Sequence, residues 1–539
     1  MSLKLQIPAS ILCGAISISC GGVGSIKEPT PLKPINQPNV IVVLVDDLGW
    51  NDLGCMGSTF YSTPVIDKLA ESGALFTNGY AGANVSSPSR GSILTGKSPA
   101  RHGITSWIGD LEGEEWREIG RHVDQLMPAT YRRELDTMEY TIAQALSDDG
   151  YSTFFVGKWH LGDEVKPTDF GFDVNIGGSG AGSPRGGYFS PYDNPALSDG
   201  RKGENLTERL TGEALTAVSK HITDYGDKPF FLMLSHYAVH APLQTDENKW
   251  FLYQDKAYKQ GLITDEEGFD DFGGSRLPSR IKQDNPIYAG MIEDVDDSVR
   301  QVMSFISDMR IANNTIVIFT SDNGGVVSGD NYSTSLRPLR GGKGTQWEGG
   351  TRVPFIVYYP GMEHMVIDEP VIGMDIFPTL LDLVGLEQKP EQHIDGKSLR
   401  PLLENREFED RSLFWHFPHY GNQGGEPNSI IRSGDWKLIY FHEDNRIELY
   451  NLADDISESN NLAPMESERV SNMMTELNDY LRETDAKMPT ADPTYNKEAG
   501  EKWRESRYNR AKASQEILRA AQLDPYWKPN KDWWGSVSR

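Results

Sequence analysis

Two adjacent aspartates, Asp46 and Asp47, close the apolar run Val40–Val45. Where a strand ends, the chain leaves its pleat, so both carboxylates can turn toward one hard cation; the plain alternative is a loop or a helix cap. Lys158 and His160 follow a second run (Thr153–Val156), and His236 and His240 follow a third (Phe230–Leu234). Asp322 and Asn323 follow a fourth (Thr315–Phe319), and Lys343 lies in Gly341-Gly342-Lys343-Gly344-Thr345, shortly before a fifth (Pro354–Tyr358). Carboxylates can hold metal or move protons, lysines can hold an anion, and a histidine can serve as an acid near neutral pH. Such a gathering behind successive runs is the pattern of an active site.

The elements that must position these groups follow from the runs. Each is short, bounded by polar or turn residues, and mostly rich in β-branched or aromatic side chains, which predicts buried strands. Between them Leu206, Leu210, Ala214, Val218 and Ile222 recur every fourth residue, and Thr137 to Leu146 reads as a shorter helix. Strands alternating with helices predict an α/β fold, a large and mostly parallel sheet sandwiched by helices. Ligands of such sheets bind beyond the carboxyl ends of the strands, where the polar groups stand.

With 539 residues, 38% hydrophobic and 10% aromatic, the chain is an ordinary globule large enough for a big domain and a smaller one. Its net charge of −26 argues against nucleic acid, and an anionic substrate would need a local basic pocket. Three cysteines, Cys13, Cys20 and Cys55, exclude a disulfide framework. Residues 1–20 read as an export signal, with Lys4 ahead of the mostly apolar Ile7–Ile18 and a loose lipobox at Ser17-Ile18-Ser19-Cys20 that makes Cys20 a candidate lipid anchor. Cleavage by ordinary signal peptidase is the alternative. Residues 21–37 read as a tether, and 38–410, 411–490 and 491–539 as a catalytic domain, a C-terminal subdomain and an extension. The expected place is outside the cytoplasm of a bacterium, in the periplasm or on the outer membrane.

One further motif, Ser86-Ser87-Pro88-Ser89-Arg90, is followed by Leu94-Thr95-Gly96-Lys97 and Pro99-Ala100-Arg101-His102-Gly103. Alone it would be a serine-rich turn. In this order it resembles the signature of the formylglycine-dependent sulfatases of the alkaline phosphatase superfamily, in which such a serine is oxidised to an aldehyde. The likeness runs from about Val40 to Pro464 and takes in V-D-D-L-G-W, G-K-W-H-L-G, T-S-D-N-G-G, G-K-G-T…E-G-G-T-R-V-P, the helix Asp375–Leu381 and Asp395-Gly396-Lys397-Ser398-Leu399. It implies an alkaline phosphatase-like fold, with Arg432–Tyr440, Ile447–Leu452 and a helix bearing Val470, Met473, Met474, Leu477 and Leu481 forming a small C-terminal α+β subdomain. Trp159, Arg101 and His102 are read as scaffold.

The resemblance also implies roles. Asp46, Asp47, Asp322 and Asn323, with residue 86, match the ligands of a calcium ion. Ser86, as 3-oxoalanine (formylglycine), would be the nucleophile and would need a sulfatase-maturing enzyme; Arg90 would orient it. Lys158 and Lys343 would clamp sulfate oxygens, His240 would protonate the departing sugar oxygen, and His160 would assist release of sulfate. Arg185, in the Gly177–Tyr192 loop, and His236, His416 and His419 are candidates for contact with the sugar, each weighed against an ordinary structural role. The expected substrate is a sulfated glycan, cut from its end, bearing galactose or N-acetylgalactosamine sulfate, 4-O ahead of 6-O. Two other readings share the pattern: a phosphatase or phosphonate hydrolase of the same superfamily, and a non-catalytic sugar-binding protein if Ser86 stays unmodified.

Overall fold

A computed structural model describes residues 29–119, 123–264, 266–271 and 276–529. The export signal, Cys20 and the terminal Trp533 and Trp534 lie outside the described residues. The end of the expected tether does not hang free. Leu32 is buried, its N–H donates to Glu404 Oε1 (3.2 Å), and the N–H of Thr30 donates to Glu404 O.

The centre is an eight-stranded sheet. In chain order its strands are β1 (Asn39–Val45), β2 (Ala74–Phe76), β3 (Ser152–Gly157), β4 (Val174–Ile176), β5 (Phe230–Ser235), β6 (Thr315–Ser321), β7 (Phe355–Tyr358) and β8 (Met365–Ile367). The spatial order is β8-β2-β7-β6-β1-β5-β3-β4. Only β7 runs against the rest, so the sheet is mixed but mostly parallel. The register sets Val45 beside Ser321 and Leu44 beside Ser235, and thereby brings Asp46, His236 and Asp322 to one edge.

The strands are apolar without alternation because both faces of the sheet are covered. Ile41, Val43 and Val45 pack against helices α3 (Leu206–Tyr225) and α4 (Pro286–Asp308), through Leu210, Ala214, Val218, Val295 and Val299. Val40, Val42 and Leu44 face the opposite layer, with α2 (Ile142–Asp148) and α5 (Ile376–Val384) contributing Ile142, Leu146, Phe377 and Leu380. Burying such side chains contributes about 1.5–3 kcal/mol each. Helix α1, Ser86–Thr95, is buried along its whole length. Helix α2 is shorter than the periodicity from Thr137 predicts. The Thr141 hydroxyl accepts from the Gln144 N–H (3.2 Å) and so starts the helix there.

The C-terminal part is a four-stranded antiparallel sheet of β9 (Ser412–Phe417), β10 (Asn428–Ser433), β11 (Trp436–Phe441) and β12 (Ile447–Asn451). Helix α6 (Ser467–Glu483) lays Met473, Leu477, Tyr480 and Leu481 on it. A buried ion cluster ties this sheet to the main body: Lys437 Nζ meets Glu348 Oε1 at 3.0 Å and Glu458 Oε1 at 2.8 Å. The 27-residue helix α7 (Lys497–Leu523) follows. Its Arg519 pairs with Asp284 (2.6 Å) at one end, and Arg507 donates to Asn422 O (3.1 Å) nearer the other.

Candidate active site

The two aspartates diverge because Asp47 takes a left-handed backbone conformation (φ 63°) directly after the strand. Such a conformation is costly for a residue other than glycine, and where the fold imposes it, it commonly serves a site. Ligand atoms of Asp46, Asp47 and Asp322 lie within 4.8 Å of one another, all three residues buried. Asn323 adds an amide, its Nδ2 donating to Asp47 Oδ1 (2.8 Å).

Ser86 is the first residue of α1 and is 2% exposed. Its hydroxyl lies 3.1 Å from Asp46 Oδ1, 3.1 Å from Asn323 Oδ1 and 3.4 Å from Lys158 Nζ. The unpaired N–H groups and dipole of the helix N-terminus favour negative charge at this point. Arg90, one turn on, is fixed by bonds to Asp322 Oδ2 (2.8 Å), Ser235 Oγ (2.7 Å) and Lys158 O (2.9 Å).

Two lysines flank the carboxylates. Lys158 Nζ donates to Asp46 Oδ2 (2.6 Å) and Lys343 Nζ to Asp47 (2.8 Å). Burial opposes charge on both carboxyl and amine here. For Asp47, Lys343, His240 and Lys158 outweigh burial and hold the carboxyl well below the usual range, whereas burial and Asp46 push Asp322 up to about 6. Lys343 is held above its ordinary value by Asp47 and Asp46 despite burial. Burial lowers Lys158, against the pull of Asp46. A cluster of carboxylates that opposes the ionisation of one of its own members is a cluster suited to a cation.

The donor set passes that test on its chemistry. Three carboxylates and an amide offer only oxygen, without thiolate or imidazole, which suits calcium or another hard cation rather than zinc.

Above this floor opens a cleft of about 280 Å³, lined by Ser86, His160, His240 and Lys343, by Gly182 and Ser183 of the Gly177–Tyr192 loop, and by residues the sequence did not single out: Val85, Trp107, Ile108, Asp330, Asn422 and Gln423. His240 Nδ1 bonds the Ala241 carbonyl (2.8 Å), and its Nε2 stands 3.7 Å from Asp47 Oδ2. Burial and the nearby Lys343 bring its pKa down to about 4. His160 also takes a left-handed conformation (φ 54°), with Nε2 3.4 Å from Ile108 O, and burial together with Lys158 lowers its pKa strongly. Gly182 closes over this ring: a Cβ there would come within 2.6 Å of His160 Nε2, so a side chain at 182 would displace the histidine.

The other predicted sugar contacts are placed elsewhere. His236 is fully buried and bonds Ser298 Oγ (2.9 Å) on α4. His416 is buried between Ser429 Oγ (2.7 Å) and Lys487 O (2.9 Å), and His419 is buried against Thr105 Oγ1 (2.8 Å). Arg185 is exposed and is not among the residues that line the cleft. The structure thus gathers Asp46, Asp47, Ser86, Arg90, Lys158, His160, His240, Asp322, Asn323 and Lys343, and leaves these four outside. Of the six residues missed, Val85 directly precedes Ser86 and Asp330 lies on the loop beyond Asp322; Trp107, Ile108, Asn422 and Gln423 carry no local signal.

Trp159 and His102 pack as scaffold. The Trp159 indole donates to Val165 O (3.1 Å), and His102 Nε2 meets Pro88 O (3.1 Å) beneath α1.

Residues 38–386 match the family model described as "Sulfatase", and 342–487 match one for the C-terminal part of N-sulphoglucosamine sulphohydrolase. An N-acetylgalactosamine-6-sulfatase of Canis lupus familiaris is 29% identical over 473 residues, 83% of this chain and 78% of that protein. A sulfatase of Formosa agariphila is 31% identical over 526 residues, covering 84% and 89%. The crystal structure of Ps i-CgsB in complex with k-i-k-neocarrahexaose superposes with a TM-score of 0.67 at 25% identity, covering 90% of this chain and 99% of that one.

Proposed function

The chain belongs to the formylglycine-dependent sulfatases of the alkaline phosphatase superfamily and is a sulfuric ester hydrolase, and from that premise we propose that it removes sulfate from a carbohydrate, with residue 86 as the nucleophile. The observation that carries the reading is the position of Ser86 Oγ, 3.1 Å from both Asp46 and Asn323, on the floor of a cleft that Lys343 and His240 also line. Serine is a poor attacker on a sulfate ester. Oxidised to an aldehyde and hydrated, it supplies one hydroxyl to attack sulfur and a second to expel sulfate. Asp46, Asp47, Asp322 and Asn323 would hold calcium, which supplies polarisation of the nucleophile and of the sulfate oxygens.

The remaining residues act directly. Arg90, pinned by three bonds, keeps Nη2 3.6 Å from Asp46 Oδ1, the carboxylate that Ser86 Oγ also meets, and from there would orient residue 86. Lys158 and Lys343 receive sulfate oxygens as charge shifts during attack. His240, its Nδ1 committed to a carbonyl, turns Nε2 to the cleft and protonates the departing sugar oxygen. His160 takes a proton from the second hydroxyl as sulfate leaves.

For the sugar we propose a galactose configuration, attacked from the glycan end, with 4-O-sulfate ahead of 6-O. Named relatives act on N-acetylgalactosamine 6-sulfate, which supports the configuration and leaves the position to experiment. Export through the leader, with Cys20 lipidated and a maturing enzyme acting on Ser86, completes the proposal. Among the described residues no helix is long and apolar enough to cross a membrane.

The test is mass spectrometry of the peptide carrying residue 86, with desulfation of galactose, N-acetylgalactosamine and N-acetylglucosamine sulfates by the same preparation. A peptide lighter by a pair of hydrogen atoms and turnover of a galacto-configured sulfate are expected. An unmodified serine in active protein would overturn the nucleophile, and preference for a glucosamine sulfate would overturn the sugar.

A further inference from the structure

The floor of the cleft is balanced in charge, and its rim carries an acid. On the floor, Arg90, Lys158 and Lys343 face Asp46, Asp47 and Asp322, so each cation is already answered by a carboxylate. Among the residues that line the cleft, Lys343 is the one Lys or Arg and Asp330 the one carboxylate. Asp330 is exposed at the rim, yet near enough to Lys343 to help hold its charge.

Asp330 is not a loose surface acid. Gln423 Nε2 donates to its Oδ2 at 2.6 Å, and Gln423 is itself only 3% exposed. The Gln423 carbonyl accepts from Ser328 Oγ (2.7 Å), two residues before Asp330. Its amide presses on the lysine loop: a Cβ on Gly344 would come within 2.2 Å of Gln423 Oε1. Helix α7 holds the neighbouring residue from outside through Arg507 and Asn422 O. A buried amide, braced on two sides, therefore fixes a carboxylate at the mouth of a pocket meant for an anion.

Resting on the carbohydrate-sulfatase reading, we propose that Asp330, oriented by Gln423, is a specificity-determining residue that confines the enzyme to sugars whose scissile sulfate is the only anionic group. A sugar hydroxyl donates to a carboxylate in a charge-assisted bond. A second sulfate, or a uronic carboxylate at the same place, meets like charge and finds no free cation among the lining side chains. Discrimination by repulsion of the wrong partner is as effective as attraction of the right one. The substrate class is thus a singly sulfated, otherwise neutral sugar.

The test compares kcat/KM on the monosulfate of N-acetylgalactosamine that the enzyme turns over with that on the 4,6-disulfate, at low and at physiological salt. One like charge a few ångströms away near a protein surface should favour the monosulfate by about tenfold or more at low salt. Because the mouth is open, added salt should shrink that preference. Asp330→Asn, which keeps the shape and the Gln423 contact, should bring the ratio to within about threefold and abolish its salt dependence. Both rates are read on one preparation, so the ratio does not depend on how much of a variant folds. Equal rates by the wild-type enzyme, or a ratio unmoved by Asp330→Asn, overturn the inference and leave the sulfatase reading standing. Turnover of neither sugar by wild-type protein overturns the carbohydrate reading itself, and the inference with it.

Discussion

Replacing His240 with alanine should separate the two halves of the chemistry. A sugar alkoxide is a poor leaving group and must be protonated as the sulfur–oxygen bond breaks, whereas a nitrophenolate leaves unaided. His240 is well placed to deliver that proton, since its Nδ1 meets the Ala241 carbonyl at 2.8 Å and leaves Nε2 toward the cleft. Burial and Lys343 bring the ring to about pKa 4, so in the free protein it is mostly neutral at pH 7. A bound sulfate adds negative charge beside it and favours the protonated form. General-acid assistance is worth ~10²–10⁴-fold, or about 2.7–5.5 kcal/mol of transition-state stabilisation. We expect His240→Ala to lose that much in kcat/KM on a sulfated sugar and less than about tenfold on 4-nitrophenyl sulfate. Steady-state assays of both esters with one preparation decide it. Equal losses would refute the acid role. His236 could not then replace it from its place against Ser298, and Lys343 would become the candidate.

Chelation should abolish turnover, with calcium and not zinc restoring it, since the cluster offers oxygen donors alone; recovery by zinc alone would favour the phosphatase reading. Lys437→Met should destabilise the fold by about 3–5 kcal/mol at pH 8, because it removes a cation shared by two buried carboxylates. Burial, opposed by Lys437, raises Glu458 to about 7 from an ordinary 4.5, so the stability tied to its protonated form is complete below the ordinary value and falls as pH rises through 7. The variant should therefore lose less at pH 5 than at pH 8, and equal losses in denaturant unfolding at the two pH values would contradict this account.

Much of the sheet was legible because its strands are buried on both faces, which leaves continuous apolar runs such as Val40–Val45 ending abruptly in polar residues. Those ends are where the ligand-like groups sit, so Asp46, Lys158, His240 and Asp322 could be read together. Burial on one face was harder to see. His416 and His419 stand among aromatics in a pattern that suits sugar binding equally well, and only the pairing of β9 with β10 turns His416 inward. Helix α7 was hidden because it buries little, among the described residues only Gly500, Arg519, Gln522 and Leu523, and so carries a weak apolar stripe. Asp330 was invisible for a different reason. A rim carboxylate is distinguished only by the buried Gln423 that holds it, 93 residues away.

The central strand has a consequence for synthesis. β1 is made before both of its neighbours, β5 and β6: Val40 pairs with Phe231 and Asn39 with Thr315. At ~5–20 residues per second, β5 follows after roughly 10–40 s and β6 after roughly 15–55 s. Until β5 is made, this seven-residue apolar strand has neither edge satisfied, and until β6 is made it has only one, a hazard for aggregation in the unfinished chain. The same delay is an opportunity. Residue 86 is 2% exposed once the sheet has closed, so the oxidation proposed for it would have to precede closure, and the pace of strand pairing would set the time allowed.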